Sequence, residues 1–128
     1  MISVESLKKE MSKDNTILLD AREFEEFEVS HISSAKYVGY DNFDINSVTK
    51  KIPKTAKIIV YCSLGYRSGK VAEKLKKNGY DVYNLKGGIF DWVNKDHSII
   101  DNKGNKTKKI HGYNESWSKW LKKGKVKY

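Results

Sequence analysis

An α/β fold, with a central parallel sheet and helices on both faces, is predicted for this 128-residue chain. Three observations lead there. Short, largely apolar runs recur at Ile17–Leu19, Ile58–Tyr61 and Val82–Leu85, as expected for strands buried on both sides. Stretches of helical period alternate with them, which favours parallel strands joined by helical crossovers. Polar side chains follow the apolar runs, and ligands of such sheets gather at the carboxyl ends of the strands.

The elements follow in order. Ser3 is placed to cap a helix over Val4 to Met11, with Val4, Leu7 and Met11 on one face. Ile17-Leu18-Leu19 reads as a buried strand that ends at Asp20-Ala21-Arg22. Phe24 and Phe27 stand three apart in an acidic stretch and predict a short helix laying two rings on the core. Lys36-Tyr37-Val38 reads as a second strand, and Phe43, Ile45 and Val48 line another short helix. Ile58-Ile59-Val60-Tyr61 is the strongest strand, followed by a helix over Ser68 to Lys77 that Asn78-Gly79 stops. Val82-Tyr83-Asn84-Leu85 makes the next strand, Gly87-Gly88 a tight turn, and Ile89, Phe90, Trp92 and Val93 a short apolar helix.

After about residue 97 the pattern breaks. Asp101 to Lys109 is polar, and Trp117, Trp120 and Leu121 then recur at helical spacing. We read residues 1–97 as the domain and 98–128 as an extension packed on it, both tryptophans docking a short helix.

Bulk composition narrows the function classes. Residues 1–94 hold 15 basic and 13 acidic side chains, and residues 95–128 hold 10 and 3, so the extension carries most of the net charge of +9. A basic patch for an acidic partner or RNA competes with an ordinary solvated lysine face. The extension contains no arginine, which favours the solvated face, and no nucleic-acid partner is expected; tRNA binding would rest on charge alone. One cysteine excludes an internal disulfide and a cysteine-based metal site, and the three histidines are scattered. No metal is expected. The amino-terminal residues lack a basic segment leading into an apolar one, and no apolar run is long enough to span a bilayer. A cytoplasmic, membrane-free protein is expected, with its oligomeric state open.

Only two of the 25 basic residues are arginines, Arg22 and Arg67, and Arg67 closes a six-residue run that begins at Cys62. The thiol thus sits where a strand turns into a helix. Loop N–H groups and the positive end of the helix dipole favour a thiolate there, and Gly65 allows the backbone to turn. Ser68 is placed to cap the helix. A cysteine after a buried strand can also be simply a small core residue; the Cys-x4-Arg-Ser spacing favours a functional thiol.

Several blocks occur in a telling order. Leu18-Leu19-Asp20-Ala21-Arg22 is followed by Glu23 and Phe27, then by Ser30-His31-Ile32-Ser33-Ser34-Ala35. Val60-Tyr61-Cys62-Ser63-Leu64-Gly65-Tyr66-Arg67-Ser68 comes next, and Gly79-Tyr80-x-Val82 through Leu85-x-Gly87-Gly88 to Trp92 closes the series. Over residues 1 to about 97 the chain resembles the rhodanese family of sulfurtransferases. The Gly-Gly-Ile-Phe-x-Trp-Val segment and the extension are similar to those of a bacterial single-domain subgroup. Ser30, Ser34 and Gly39 replace two family glycines and a proline, and Ser63 and Leu64 stand where some thiosulfate-specific members carry a basic residue.

The resemblance implies a rhodanese-like domain and a Cys62 nucleophile that takes up sulfane sulfur as a persulfide and passes it to cyanide or a thiol. The loop Ser63, Leu64, Gly65, Tyr66, Arg67 and Ser68 would hold the persulfide with its amides, Arg67 adding charge near the donor or fixing the loop. Asp20 and Arg22 would form an ion pair that holds the loop, and His31 would bond backbone at a turn. A small sulfur donor and a thiol acceptor, thioredoxin-like or another protein thiol, are the implied partners, with no cofactor. A sulfur-carrying or docking module that serves a protein partner is the alternative. Phosphatases and arsenate reductases related by fold use Cys-x5-Arg, one residue longer than this loop.

Overall fold

A computed structural model describes residues 1–128. Four strands form one parallel sheet in the order β2-β1-β3-β4: β1 Thr16–Asp20, β2 Lys36–Tyr37, β3 Lys57–Tyr61 and β4 Asp81–Asn84. β1 pairs with β3 from Thr16 opposite Lys57 to Asp20 opposite Tyr61. Ile2 adds one more parallel bridge beside Leu85. The chain moves outward from β1 to β2 and then crosses back to β3, so a crevice opens at the carboxyl ends of β1 and β3.

Helices cover both faces, as the apolar strands demand. The two-residue period sends Ile59 and Tyr61 into one cluster with Val4, Leu7, Ile89, Phe90 and Trp92. Ile58 and Val60 enter the other with Val48, Val71, Ala72 and Leu75. The first cluster joins α1 (Val4–Glu10) and α5 (Gly88–Asn94) to the sheet, and the second joins α3 (Ile45–Thr49) and α4 (Tyr66–Lys77).

Local chemistry sets the helix ends. Ser3 accepts the Ser6 N–H at 3.1 Å and caps α1. Lysines 74, 76 and 77 occupy the last turn of α4, where the helix dipole favours cations, and Asn78 ends it. α4 begins two residues before the predicted start, so Ser68 lies inside its first turn rather than capping it.

α2 (Phe24–Val29) departs from expectation in what it buries. Phe24 is half exposed and packs its ring edge against Tyr37, while Glu26 is the buried residue of the helix. An electrostatic partner, described below, outweighs the aromatic preference for the interior.

The extension is mostly β structure. β5 (Ile99–Ile100) pairs antiparallel with β6 (Lys106–Thr107), and β7 (Lys109–His111) pairs in parallel with β8 (Lys125–Lys127). β5 is tied to the sheet domain by mutual His31–Ile100 backbone bonds at 2.9 Å, and β7 lies against α2. The expected tryptophan helix shrinks to α6 (Glu115–Ser118). Trp117 is partly buried, whereas Trp120 is 57% exposed and docks nothing with its ring beyond a lysine. No helix is long and apolar enough to cross a membrane.

Candidate active site

Cys62 leaves the end of β3 at the crevice beside β1. The next three residues turn the chain into α4, with Gly65 at the helix boundary in a φ of 128° that side chains resist. That turn swings the Gly65 N–H back onto Cys62 Sγ at 3.0 Å. Of the loop amides, this one donates to the sulfur. One hydroxyl, Ser68 Oγ, lies 3.3 Å from Sγ beside it.

The Ser68 hydroxyl has a single proton. Its neighbours are Asn84 Oδ1 at 2.5 Å, Cys62 Sγ and the Gly65 carbonyl, both at 3.3 Å. Asn84, at the end of β4, also donates from Nδ2 to the Gly65 carbonyl at 3.0 Å, which orients its amide. Asn84 thus ties both the first turn of α4 and the loop to the neighbouring strand. Behind the loop, the N–H groups of Ile89 and Phe90 donate to the carbonyls of Cys62 and Ser63. A Cβ at Gly88 (φ 61°) would overlap those same carbonyls.

Arg67 fixes the loop. Its two terminal nitrogens donate to Glu26 Oε2 and Oε1 at 2.7 and 2.9 Å, and Nη2 also donates to Ser63 Oγ at 2.9 Å. Ser63 donates onward to Glu26 Oε1, and the Glu23 N–H donates to Glu26 Oε2 at 2.7 Å. Burial alone would raise the Glu26 carboxyl, but the bonds and charge of Arg67 outweigh it and hold it below the usual range. Burial likewise works to lower Arg67, and Glu26 reverses it.

Asp20 and Arg22 form a second, wholly buried ion pair, with Arg22 Nη2 at 2.7 Å from Asp20 Oδ2. Arg22 also donates to the Ser30 carbonyl, and the Tyr61 hydroxyl donates to Asp20 at 2.6 Å. Neither residue bonds the loop from Ser63 to Ser68, contrary to expectation; they brace the ends of β1 and β3 instead. His31 stacks on Phe27 with centroids 3.8 Å apart and places Nδ1 3.0 Å from the Phe27 carbonyl, a backbone bond at a turn.

The side chain of Cys62 has no exposed surface, Leu64 and Gly65 are partly covered and Tyr66 is 64% exposed. A donor therefore reaches the sulfur only if its cover moves. The extension contributes to the surroundings: Tyr113 lies 4.6 Å and Trp117 5.8 Å from the Arg67 guanidinium carbon. A concavity of about 700 Å³ lies elsewhere, among Val93, His97 and Lys106, and contains no loop residue.

Sequence alone does not place Glu26, Asn84 or Tyr113 at the site, and it marks Trp117 only as a docking residue of the extension. Asn84 stands at the carboxyl end of a predicted strand, where a polar side chain is a usable signal. Glu26 is one of four glutamates between Glu23 and Glu28, and nothing local distinguishes it.

Comparison with known proteins places the fold in a family. The sequence model of the rhodanese-like domain matches residues 3–95. An uncharacterized protein, YqhL, of Bacillus subtilis (strain 168) is 37% identical over 79 residues, covering 61% of each chain. The putative sulfur carrier protein YrkF of the same organism is 30% identical over 96 residues, 73% of this chain and 51% of that one. The chain thus spans about half to three-fifths of the length of these relatives. A rhodanese-like domain protein from Staphylococcus aureus has a similar structure, with a TM-score of 0.64 and 30% identity over 71% of this chain and 88% of that one.

Proposed function

The chain belongs to the rhodanese-like domain family, and from that premise we propose that it is a sulfurtransferase that carries sulfane sulfur as a persulfide on Cys62. The observation that carries the reading is the Gly65 N–H aimed at Sγ at 3.0 Å, at the amino end of a twelve-residue helix.

In the first step the Cys62 thiolate attacks the outer sulfur of a donor. The donor's S–S bond breaks, its electron pair leaves with sulfite or a thiolate, and Cys62 holds S–S⁻. In the second step a thiolate or cyanide attacks the terminal sulfur, and Cys62 departs with the bonding pair. No outside oxidant is needed. Gly65 stabilises the anion, while Leu64 and Tyr66 shape the approach, Ser63, Arg67 and Ser68 hold the loop, and Asp20, Arg22 and His31 brace the scaffold. A reducing cytoplasm suits the single thiol, and residues 98–128 serve as an accessory extension of the domain.

Arg67 is engaged by Glu26, and Ser63 is turned inward, so the loop offers no free cation for the sulfonate end of thiosulfate. We therefore place a protein or small-molecule persulfide ahead of thiosulfate as donor. A second reading, a persulfide carrier serving a protein partner with little turnover, is favoured by the covered sulfur and by the likeness to a protein named a putative sulfur carrier.

Incubation of the protein with thiosulfate or glutathione persulfide, followed by mass spectrometry, tests the proposal. A gain of about 32 Da, one sulfur atom, is expected on the native chain and none on Cys62→Ser. Absence of any adduct on the native chain sinks both readings. Turnover with cyanide separates them, being substantial for the enzyme and negligible for the carrier.

A further inference from the structure

Arg67 uses the edge of its guanidinium on Glu26 and Ser63, and its flat faces remain available to π systems. The extension supplies two. Tyr113 and Trp117 lie 4.4 Å apart between ring centroids, tilted by 33°, and both stand within cation–π range of Arg67. Their placement is built. Tyr113 takes a left-handed φ of 67°, unusual for a bulky residue, and its N–H donates to His111 Nδ1 at 2.9 Å. Asn114 caps α6 by accepting the Trp117 N–H at 2.9 Å, which fixes where that ring begins. β7, immediately before, lies against α2, the helix that carries Glu26.

The extension therefore packs two rings on Arg67 and lies against the helix that carries Glu26, around an Arg67 only 4% exposed and a Cys62 with no exposed surface. We propose that Tyr113 and Trp117 are positioning residues that clamp Arg67 and thereby hold the Cys62 loop in its closed form. The clamp acts through Arg67 and touches no reacting atom. Access to the thiol is then set by an extension that lies outside the residues matched to the rhodanese-like domain, 3–95. Its meaning for sulfur transfer rests on Cys62 being the sulfur carrier; its effect on access does not.

The single cysteine makes the test clean. Tyr113→Leu and Trp117→Leu in the full chain retain apolar bulk but lose the aromatic face, and Trp117→Phe restores a ring. Cys62 alkylation by iodoacetamide is followed by mass spectrometry, with circular dichroism confirming the fold. The Leu variants are expected to react about tenfold faster than the native chain, from the loss of one cation–π contact in a desolvated site, and Trp117→Phe close to the native rate. Equal rates in folded native and Leu variants overturn the clamp and leave the sulfur chemistry untouched. Should Trp117→Leu fail to fold, Tyr113→Leu decides alone, because it removes the nearer ring from a residue 40% exposed. A native chain that is alkylated yet never takes up sulfur sinks the sulfurtransferase reading without bearing on the clamp.

Discussion

Glu26 and Arg67, 41 positions apart in the chain, meet as a two-pronged ion pair across the crevice between β1 and β3. Every oxygen of the carboxylate has two donors, while on the other side Arg67 Nε is buried without a partner. Removing one partner should cost far more than removing both. Glu26→Gln leaves a buried guanidinium without its counter-charge, and a loss of about 3 kcal/mol is expected, a fall in Tm of about 10 °C. Urea unfolding of Glu26→Gln, Arg67→Gln and the double variant closes the cycle; additive losses would show that the pair carries no coupling.

Acid should weaken the same contact. Glu26 titrates below its ordinary value of 4.5 in the folded chain, so the unfolded chain binds the proton first. The stability it contributes is present above about pH 4.5 and is lost as the pH falls through the folded value. Melting curves of the native chain should drop more steeply with acid there than those of Glu26→Gln, and parallel curves would count against the assignment.

A separate, higher window belongs to His111. Burial holds its imidazole below 6.5; Glu26 and Glu25 pull it upward, and Arg22 and Arg67 push it down. The neutral ring accepts the Tyr113 N–H at Nδ1, and protonation removes that acceptor. Its contribution to stability is full above about pH 6.5 and declines as the pH falls toward the folded value. Protection of the Tyr113 amide, taken relative to its intrinsic exchange rate at each pH, should fall in the native chain over that window and stay constant in His111→Asn.

Tyr61 braces the carboxyl ends of β1 and β3, donating its hydroxyl to Asp20 and accepting the Ile32 N–H at 3.1 Å. Tyr61→Phe leaves the Ile32 N–H without a partner in a dry interior and takes one donor from Asp20, which keeps Arg22, and should cost about 2 kcal/mol. Burial and the Asp20 charge raise this phenol well above its usual range, so no effect of ionisation is expected near neutrality. Thermal melts check the first statement, and an unchanged Cys62 alkylation rate would confirm that the loop is held elsewhere.

Gly88→Ala places a methyl group against the carbonyls of Cys62 and Ser63 at a backbone φ of 61°. Backbone atoms cannot step aside cheaply, and a loss of roughly 3 kcal/mol is expected. Because the obstruction pushes on Cys62 itself, uptake of sulfur should fall even at temperatures where the variant remains folded. Undiminished uptake in a folded variant would show that the loop tolerates the shift.

Local periodicity was enough to read much of this protein. The apolar runs at Ile17–Leu19 and Ile58–Tyr61, the Ser3 cap and the stop at Asn78-Gly79 are written in neighbouring residues, and the parallel sheet with its cysteine at a strand end follows from them. The weakest readings lay where local signals pointed away from the tertiary outcome: Phe24 stays half exposed while Glu26 is buried, and Trp120 is exposed in an extension that is mostly β structure.

What the chain alone determined is the position of its one thiol, at the junction of a buried strand and a helix, because both elements are encoded within a few residues of it. Only the folded molecule decided which charges and rings surround that thiol. Glu26, Asn84 and Tyr113 reach the loop from α2, from β4 and from the extension, across separations at which no sequence period operates. Such pairings are selected by burial and electrostatics among many equivalent glutamates, asparagines and tyrosines, and they exist only once the sheet has brought the segments together.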